Sequence, residues 1–483
     1  MPRILALVLL TAVLGFAIAD DAKRPNIILI ITDDQGYGDA SCNGNPILKT
    51  PNIDRLAKEG VRFEDFHVSP TCAPTRCSIF TGRHEFRSGV SHTIMERERM
   101  SLKATPFTPL LREAGYTTGI FGKWHLGDEA AYRPDQRGFD EVFIHGTGGI
   151  GQTFAGVSSG DAPKNSYFNP VILHNNKFTT TEGYCTDVFF RQAEKWIDTV
   201  KGTKPFFCYI STNAPHAPLD VPPEWEAKYA EQGLKKDVVK FFGMIANIDW
   251  NLGRLLDKLR EDGLERDTLV IFMNDNGGTA GTSVFNAGMR GQKVTERNGG
   301  TRGMSIWRRP GTYPPAQCYA LTSAVDYFPT FVELAGAKTP PEVAAKLEGF
   351  SLVPLLKNPD AKWHDDRTLV THVGRWKKGS PPDKDGPSSV RWKDYLLVRG
   401  KNGGLFDLKR DPGETKDLAG DKPEVAAKLS AYFDAWWAET LGQLDNEDAW
   451  KTAPKWNPFH ELYWKQFAGP GPNHAPPPPD FMP

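Results

Sequence analysis

Long apolar runs are almost missing from this 483-residue sequence. Residues 4–18 form one, and no later stretch is long and apolar enough to cross a bilayer. Cysteine is scarce too. Cys42, Cys72, Cys77, Cys185, Cys208 and Cys318 are too few and too scattered for a disulfide scaffold, leaving room for one or two bridges. Charge of either sign is not in excess. Lys and Arg number 58 against 59 Asp and Glu, a net charge of −1, which gives no whole-chain case for nucleic acid or a charged membrane surface. No Cys/His cluster offers a zinc site, and no internal repeat is visible.

What is present begins at the N-terminus. Arg3 precedes the apolar run, and Ala17-Ile18-Ala19 supplies a small-residue cleavage site. Residues 1–19 therefore read as a secretory signal peptide, with export to the periplasm or the exterior. No cysteine follows the cleavage site, which argues against a lipid anchor, and no membrane contact is expected after cleavage. The remaining chain is too long for one small core, and two domains are expected.

The stretch "SPTCAPTRCSIFTGRH" (69–84) sets a cysteine at the head of a polar-to-apolar transition. Pro74 suits the first turn of a helix. Cys72 then stands at a helix N-terminus, where backbone N–H groups favour negative charge, and Arg76 adds a fixed cation one turn on. A lone cysteine is by itself an ordinary small core residue, so its meaning depends on its neighbours.

Four short apolar runs supply them. Residues 27–31 are followed by Thr32-Asp33-Asp34, and 117–121 by Gly122-Lys123-Trp124-His125. Residues 206–210 lead into Asn213-Ala214-Pro215-His216, and 269–272 into Asn274-Asp275-Asn276-Gly277. Continuous apolar strands without alternation belong to parallel sheets covered on both faces. Helices fall between them, one capped by Thr50-Pro51 and stopping at Gly60, another over about 238–262 with a leucine and isoleucine core stripe. The class is α/β, and ligands of such sheets bind beyond the strands' carboxyl ends, where all four polar groups lie.

Asp33, Asp34, Asp275 and Asn276 are oxygen donors suited to Ca²⁺ or Mg²⁺. Arg76, Lys123 and Lys293, with His125 and His216 when protonated, oppose them, a set built for an anionic substrate.

Cys72-Ala73-Pro74-Thr75-Arg76, continuing through Ile79-Phe80-Thr81-Gly82, resembles the signature of the type I, formylglycine-dependent sulfatases of the alkaline phosphatase superfamily. "NIILIITDDQGYGD", "GKWHLG", "NAPHAP", "MNDNGG", "GQKVTERNGGTRG" and "LFDLKRDPGETKDLA" extend the resemblance, in order, over most of the chain. The resemblance implies a large, mostly parallel mixed sheet between helices, followed by a smaller α+β domain with an antiparallel sheet. It implies that a formylglycine-generating maturation enzyme oxidises Cys72 to an aldehyde, whose hydrate attacks sulfur and then expels sulfate. A sulfuric ester hydrolase follows, acting on a sulfated carbohydrate or an aryl sulfate. Asp33, Asp34, Asp275, Asn276 and the modified residue 72 are implied to hold one Ca²⁺, with Mg²⁺ second. Arg76 is implied to steady residue 72, Lys123 and Lys293 to neutralise sulfate, His125 to serve the diol proton, and His216 with Lys293 to protonate the leaving oxygen.

The sequence departs from the family pattern at Asn298, where many members are acidic, and at Gly303-Met304, where many have Val-Pro, which leaves the role of Arg302 open. The expected layout is 20–358 catalytic, 359–440 α+β with a helix over about 423–439, and 441–483 a Trp- and Pro-rich tail that wraps the body. The insert 145–178 is expected as a loop at the pocket mouth, with His145 and His174 as candidate substrate contacts. The competing readings are a phosphate or phosphonate ester hydrolase of the same superfamily, a group that often shares the modified cysteine and whose alkaline phosphatase-like members need a second set of Asp/His ligands, and a non-catalytic anion- or glycan-binding relative.

Overall fold

The computed structural model describes residues 24–467 apart from 155 and 455, so the expected signal peptide and the extreme proline-rich end lie outside the described residues. At its centre run five parallel strands, in the spatial order Thr268–Asn274, Asn26–Thr32, Phe206–Ser211, Thr117–Lys123 and Glu141–His145. All four apolar runs read from the sequence are neighbours here. Antiparallel and short parallel strands widen the sheet to ten.

The uninterrupted hydrophobicity of these strands has a direct cause. Ile27, Leu29 and Ile31 pack into one core layer, while Ile28 and Ile30 pack into the other. The first layer is closed by helices Cys72–Thr81, Phe107–Glu113 and Tyr327–Ala335. The second is closed by Pro51–Glu59, Cys185–Val200 and Lys236–Glu261. With no solvated face, alternation has nothing to encode.

Helix Pro51–Glu59 corrects one detail. The Thr50 hydroxyl does not cap it but faces Ser41 and Asp54. The cap comes from Asp249, on the long helix, whose carboxylate accepts from the backbone N–H of Asn52 at 3.0 Å and Ile53 at 2.8 Å. The orphan donors of a helix start are thus met from a distant element, which local sequence does not reveal. The room left for one or two disulfides is not used: all six cysteines are free.

A separate four-stranded antiparallel sheet (Thr368–His372, Ser388–Trp392, Tyr395–Val398, Gly404–Asp407) packs under helix Pro423–Leu441, with Val390, Leu405, Leu429 and Phe433 at its core. Beyond that helix the chain returns across the large sheet's domain. Asn446 donates to the carbonyls of Gly89 and Arg99, and Glu447 pairs with Arg97 at 3.2 Å. Helix Pro458–Phe467 then docks on the edge strand Lys177–Thr180 through Gln466 and buried Phe459.

One glycine is required by a close approach next to the polar strand ends. Gly122 has φ +111°, and a Cβ there would lie 1.9 Å from the Ser211 carbonyl on the adjoining strand. We expect Gly122→Ala to cost roughly 3 kcal/mol, through a forbidden backbone conformation and a rigid clash. Thermal denaturation checks this, and an unchanged midpoint would show that the two strands can part.

Candidate active site

Register brings the acidic strand ends together. Thr32 pairs with Asn274, so Asp33 and Asp275 follow on adjacent parallel strands. Asp34 takes a left-handed backbone, φ 68°, and its N–H donates to Asp275 Oδ1 at 3.1 Å. Asn276 Nδ2 donates to Asp34 Oδ1 at 3.0 Å. Lys123 ends its own strand with Nζ 2.6 Å from Asp33 Oδ2, both side chains fully buried. Lys293 arrives from the "GQKVTERNGG" segment with Nζ 2.6 Å from Asp34 Oδ1. Val294, also left-handed, ties that segment to the Pro70 carbonyl, just before the cysteine helix.

Cys72 is the first residue of helix Cys72–Thr81 and is buried. Arg76, one turn on, is wholly buried and anchored on several sides. It pairs with Asp275 Oδ2 at 2.9 Å and donates to Tyr209 Oη at 3.2 Å, to Ser211 Oγ and to the Lys123 carbonyl. His216 Nε2 lies 3.8 Å from Asp34 Oδ2, while its Nδ1 is 2.6 Å from the Ala217 carbonyl. His125 sits at φ 59° with Nε2 2.8 Å from the Thr93 carbonyl. A carbonyl only accepts, so Nε2 carries the proton, and the buried Nδ1 is an acceptor without a partner.

Burial dominates the electrostatics. It raises Asp33 despite Lys123, and with the Asp33 charge it pushes Asp275 up to about 7. At Asp34 burial acts upward as well, but Lys293 and His216 outweigh it and hold the carboxyl below its usual range. Burial and the Lys293 charge lower His216 to about 4, and burial with Lys123 pushes His125 well below the usual imidazole value. Burial raises the Cys72 thiol, outweighing Lys123 and Lys293. A protonated thiol is a poor nucleophile.

The donor set fits a hard divalent cation. Donor atoms of Asp33, Cys72 and Asp275 lie within 4.8 Å of one another, as do those of Asp33, Asp34 and His216. Asp33 Oδ1 and Asn276 Oδ1 are buried acceptors with no hydrogen-bond partner. Oxygen donors of this kind suit Ca²⁺ or Mg²⁺. Both groups contain Asp33, so among the described residues they make one centre rather than two.

Other positions were misplaced or missed by the sequence. His174 pairs with Glu141 at 2.7 Å, on the strand next to the sheet's edge strand. His145, by contrast, ends its strand in register with Lys123, within reach of the Lys123, Arg76 and His216 charges, so it stays beside the site, stacked on Phe189 with Nδ1 2.8 Å from the Gly146 carbonyl. Part of the insert is strand, Val171–His174 and Lys177–Thr180, rather than loop. Arg302 is structural: it donates to the Glu64 carbonyl and lies over the Tyr37 ring. Tyr209, Ser211 and Thr93 act through ordinary strand or backbone positions and leave no motif. Glu414 did carry a signal, inside "LFDLKRDPGETKDLA". It pairs with Arg297 at 2.6 Å and accepts from the Asn298 N–H, so the smaller domain holds the start of the segment that follows Lys293.

Because the folded Asp275 carboxyl titrates near 7, above its usual value, it contributes stability at low pH that is lost as pH rises toward 7. A bound cation must displace that proton. We expect divalent-cation affinity, measured by calorimetry, to fall about tenfold per pH unit below pH ~7. Affinity that stays flat between about pH 5.5 and pH 8 would exclude Asp275 as a ligand.

Comparisons with known proteins place most of the chain among relatives. The family model described as Sulfatase matches residues 25–337. N-acetylgalactosamine-6-sulfatase of Mus musculus is 31% identical over 398 residues, covering 77% of this chain and 75% of that one. Arylsulfatase A of Homo sapiens is 30% identical over 466 residues, covering 87% and 89%. Among solved structures, Ps i-CgsB in complex with k-i-k-neocarrahexaose superposes with a TM-score of 0.76 at 28% identity, covering 92% of this chain and 98% of that one.

Proposed function

Since the chain belongs to the sulfatase family and is a sulfuric ester hydrolase, we propose that it cleaves a sulfate monoester of a carbohydrate with a formylglycine made from Cys72 and one divalent cation, Ca²⁺ ahead of Mg²⁺. The observation that carries this is the placement of Cys72: buried at a helix start, its donor atom beside those of Asp33 and Asp275, among fixed cations. The carbohydrate class is supported by the relatives, one named for N-acetylgalactosamine 6-sulfate and one solved with neocarrahexaose. An aryl sulfate serves as a convenient second substrate.

Oxidised and hydrated, residue 72 would supply a geminal diol, with one hydroxyl to attack sulfur and one to expel sulfate. The cation, held by Asp33, Asp34, Asp275, Asn276 and residue 72, would polarise a sulfate oxygen and favour ionisation of the diol. The remaining work falls to this chain's side chains. Arg76, fixed by Asp275, Tyr209 and Ser211, holds the first turn of the helix and with it residue 72. Lys123 and Lys293 set positive charge where the sulfate oxygens bind. His125, protonated on Nε2 by its Thr93 bond, offers Nδ1 to a diol proton. His216 offers Nε2 on the leaving-group side; neutral in the free site, it gains a proton as the sulfate charge offsets Lys293.

A two-metal phosphoryl mechanism finds no second centre among the described residues. A binding-only relative would be expected to have lost the nucleophile or a cation ligand, and this sequence retains Cys72, Asp33, Asp34, Asp275 and Asn276. Cys72 is buried in the fold, so a maturation enzyme must reach it before folding is complete. Export through residues 1–19 agrees with that order of events.

We expect Cys72→Ala to lower turnover by at least roughly 10³-fold while leaving the unfolding midpoint in place. Retained activity would sink the covalent mechanism. His216→Ala should cost about 10²-fold on a carbohydrate sulfate and much less on 4-nitrophenyl sulfate, whose leaving group needs no proton. Equal losses on both substrates would remove His216 as the acid.

A further inference from the structure

One cation at this site comes from the smaller domain and has no use in the mechanism above. Arg375 lies between strands Thr368–His372 and Ser388–Trp392. Its backbone is left-handed, φ 63°, and its N–H donates to the Ser91 carbonyl at 3.2 Å. Gly374 packs so tightly there that a Cβ would sit 2.1 Å from that same carbonyl. Trp376 is fixed on the other side, its carbonyl accepting from Arg97 and its ring lying under the Arg97 guanidinium. The segment is clamped, so the direction of Arg375 is set.

Its guanidinium donates Nη2 to Thr93 Oγ1 at 2.8 Å, and the Thr93 carbonyl meets His125. Arg375 is half-buried, its Nε is buried without a partner, and no carboxylate among the described residues pairs with it. Neighbouring Arg97, Arg99 and Arg76 each have one. Burial weakens the hold of Arg375 on its charge, and the nearby Asp34 carboxylate offsets part of that effect. The site therefore has a surplus of positive charge. Asp33, Asp34 and Asp275 face Arg76, Lys123, Lys293 and Arg375, and a divalent cation adds more than one sulfate monoester removes. Leaving such a fork partly desolvated without an anion is costly.

We propose that Arg375 is a specificity-determining residue that binds a second negatively charged group of the substrate, a carboxylate or a second sulfate near the scissile ester. The inference rests on the sulfatase reading and deepens it. It selects acidic or multiply sulfated saccharides over neutral monosulfated ones, through the planar two-donor geometry that guanidinium presents to an oxyanion.

The test compares kcat/KM of the wild type, Arg375→Gln and Arg375→Lys on 4-nitrophenyl sulfate and on a panel of saccharide monosulfates, disulfates and sulfated uronates. The wild type should prefer one doubly charged class. On that class Arg375→Gln should lose about 10- to 100-fold, mostly in KM, at least tenfold more than on 4-nitrophenyl sulfate, and Arg375→Lys should recover part of it. Whether the disulfates or the uronates carry the loss identifies the second anion. Equal losses on all substrates would mean that Arg375 serves the transferring sulfate or only holds Thr93, and would overturn the proposal. So would a wild type that favours the singly charged sugars, or no loss on any substrate. A wild type that hydrolyses no sulfate ester at all would instead count against the sulfatase reading beneath it.

Discussion

Three carboxylates meet in a volume closed to water only because cations are buried with them. Asp33 is held to Lys123, Asp34 to Lys293 and Asp275 to Arg76, each at hydrogen-bond distance. Removing one cation would take from a buried carboxylate the partner that favours its ionised form and push its proton affinity further up. Every other feature of the site follows from keeping these pairs in place. The sheet register sets Asp33 beside Asp275, the cysteine helix brings Arg76, and the glycine before Lys123 lets its strand lie against Ser211.

The fold divides this labour between two units. The parallel sheet supplies ligands and cations at its carboxyl edge, as open α/β sheets do. The smaller domain reaches back twice. Glu414 secures Arg297 and the Asn298 N–H beyond Lys293, and Arg375 lies against Thr93 at the same site. The chain after helix Pro423–Leu441 adds a further tie through Asn446 and Glu447. The smaller domain is therefore part of the site, not an appendage to it.

Much of this was legible in the sequence, for physical reasons. Apolar runs buried on both faces announce themselves, and each ended in residues whose chemistry a core would not tolerate unpaired, so the parallel sheet and Asp33, Asp34, Lys123, Asp275 and Asn276 could be read directly. What was lost depends on distant packing. Asp249 caps a helix far from it in sequence, His125 is oriented by a backbone carbonyl, and Arg375 is one arginine in a polar loop. His174 illustrates the opposite error: a histidine in a glycine-rich insert looks available but is paired with Glu141 on the neighbouring strand.

The proposed chemistry requires residue 72 to work as an oxidised cysteine and not as a thiol. Peptide mass spectrometry across Cys72, on protein from a host that carries the maturation enzyme, tests it most directly when paired with sulfate release on the same sample. The expected result is a thiol-to-aldehyde mass loss whose extent tracks turnover from preparation to preparation. Full turnover from protein whose Cys72 is an unmodified thiol would contradict the account.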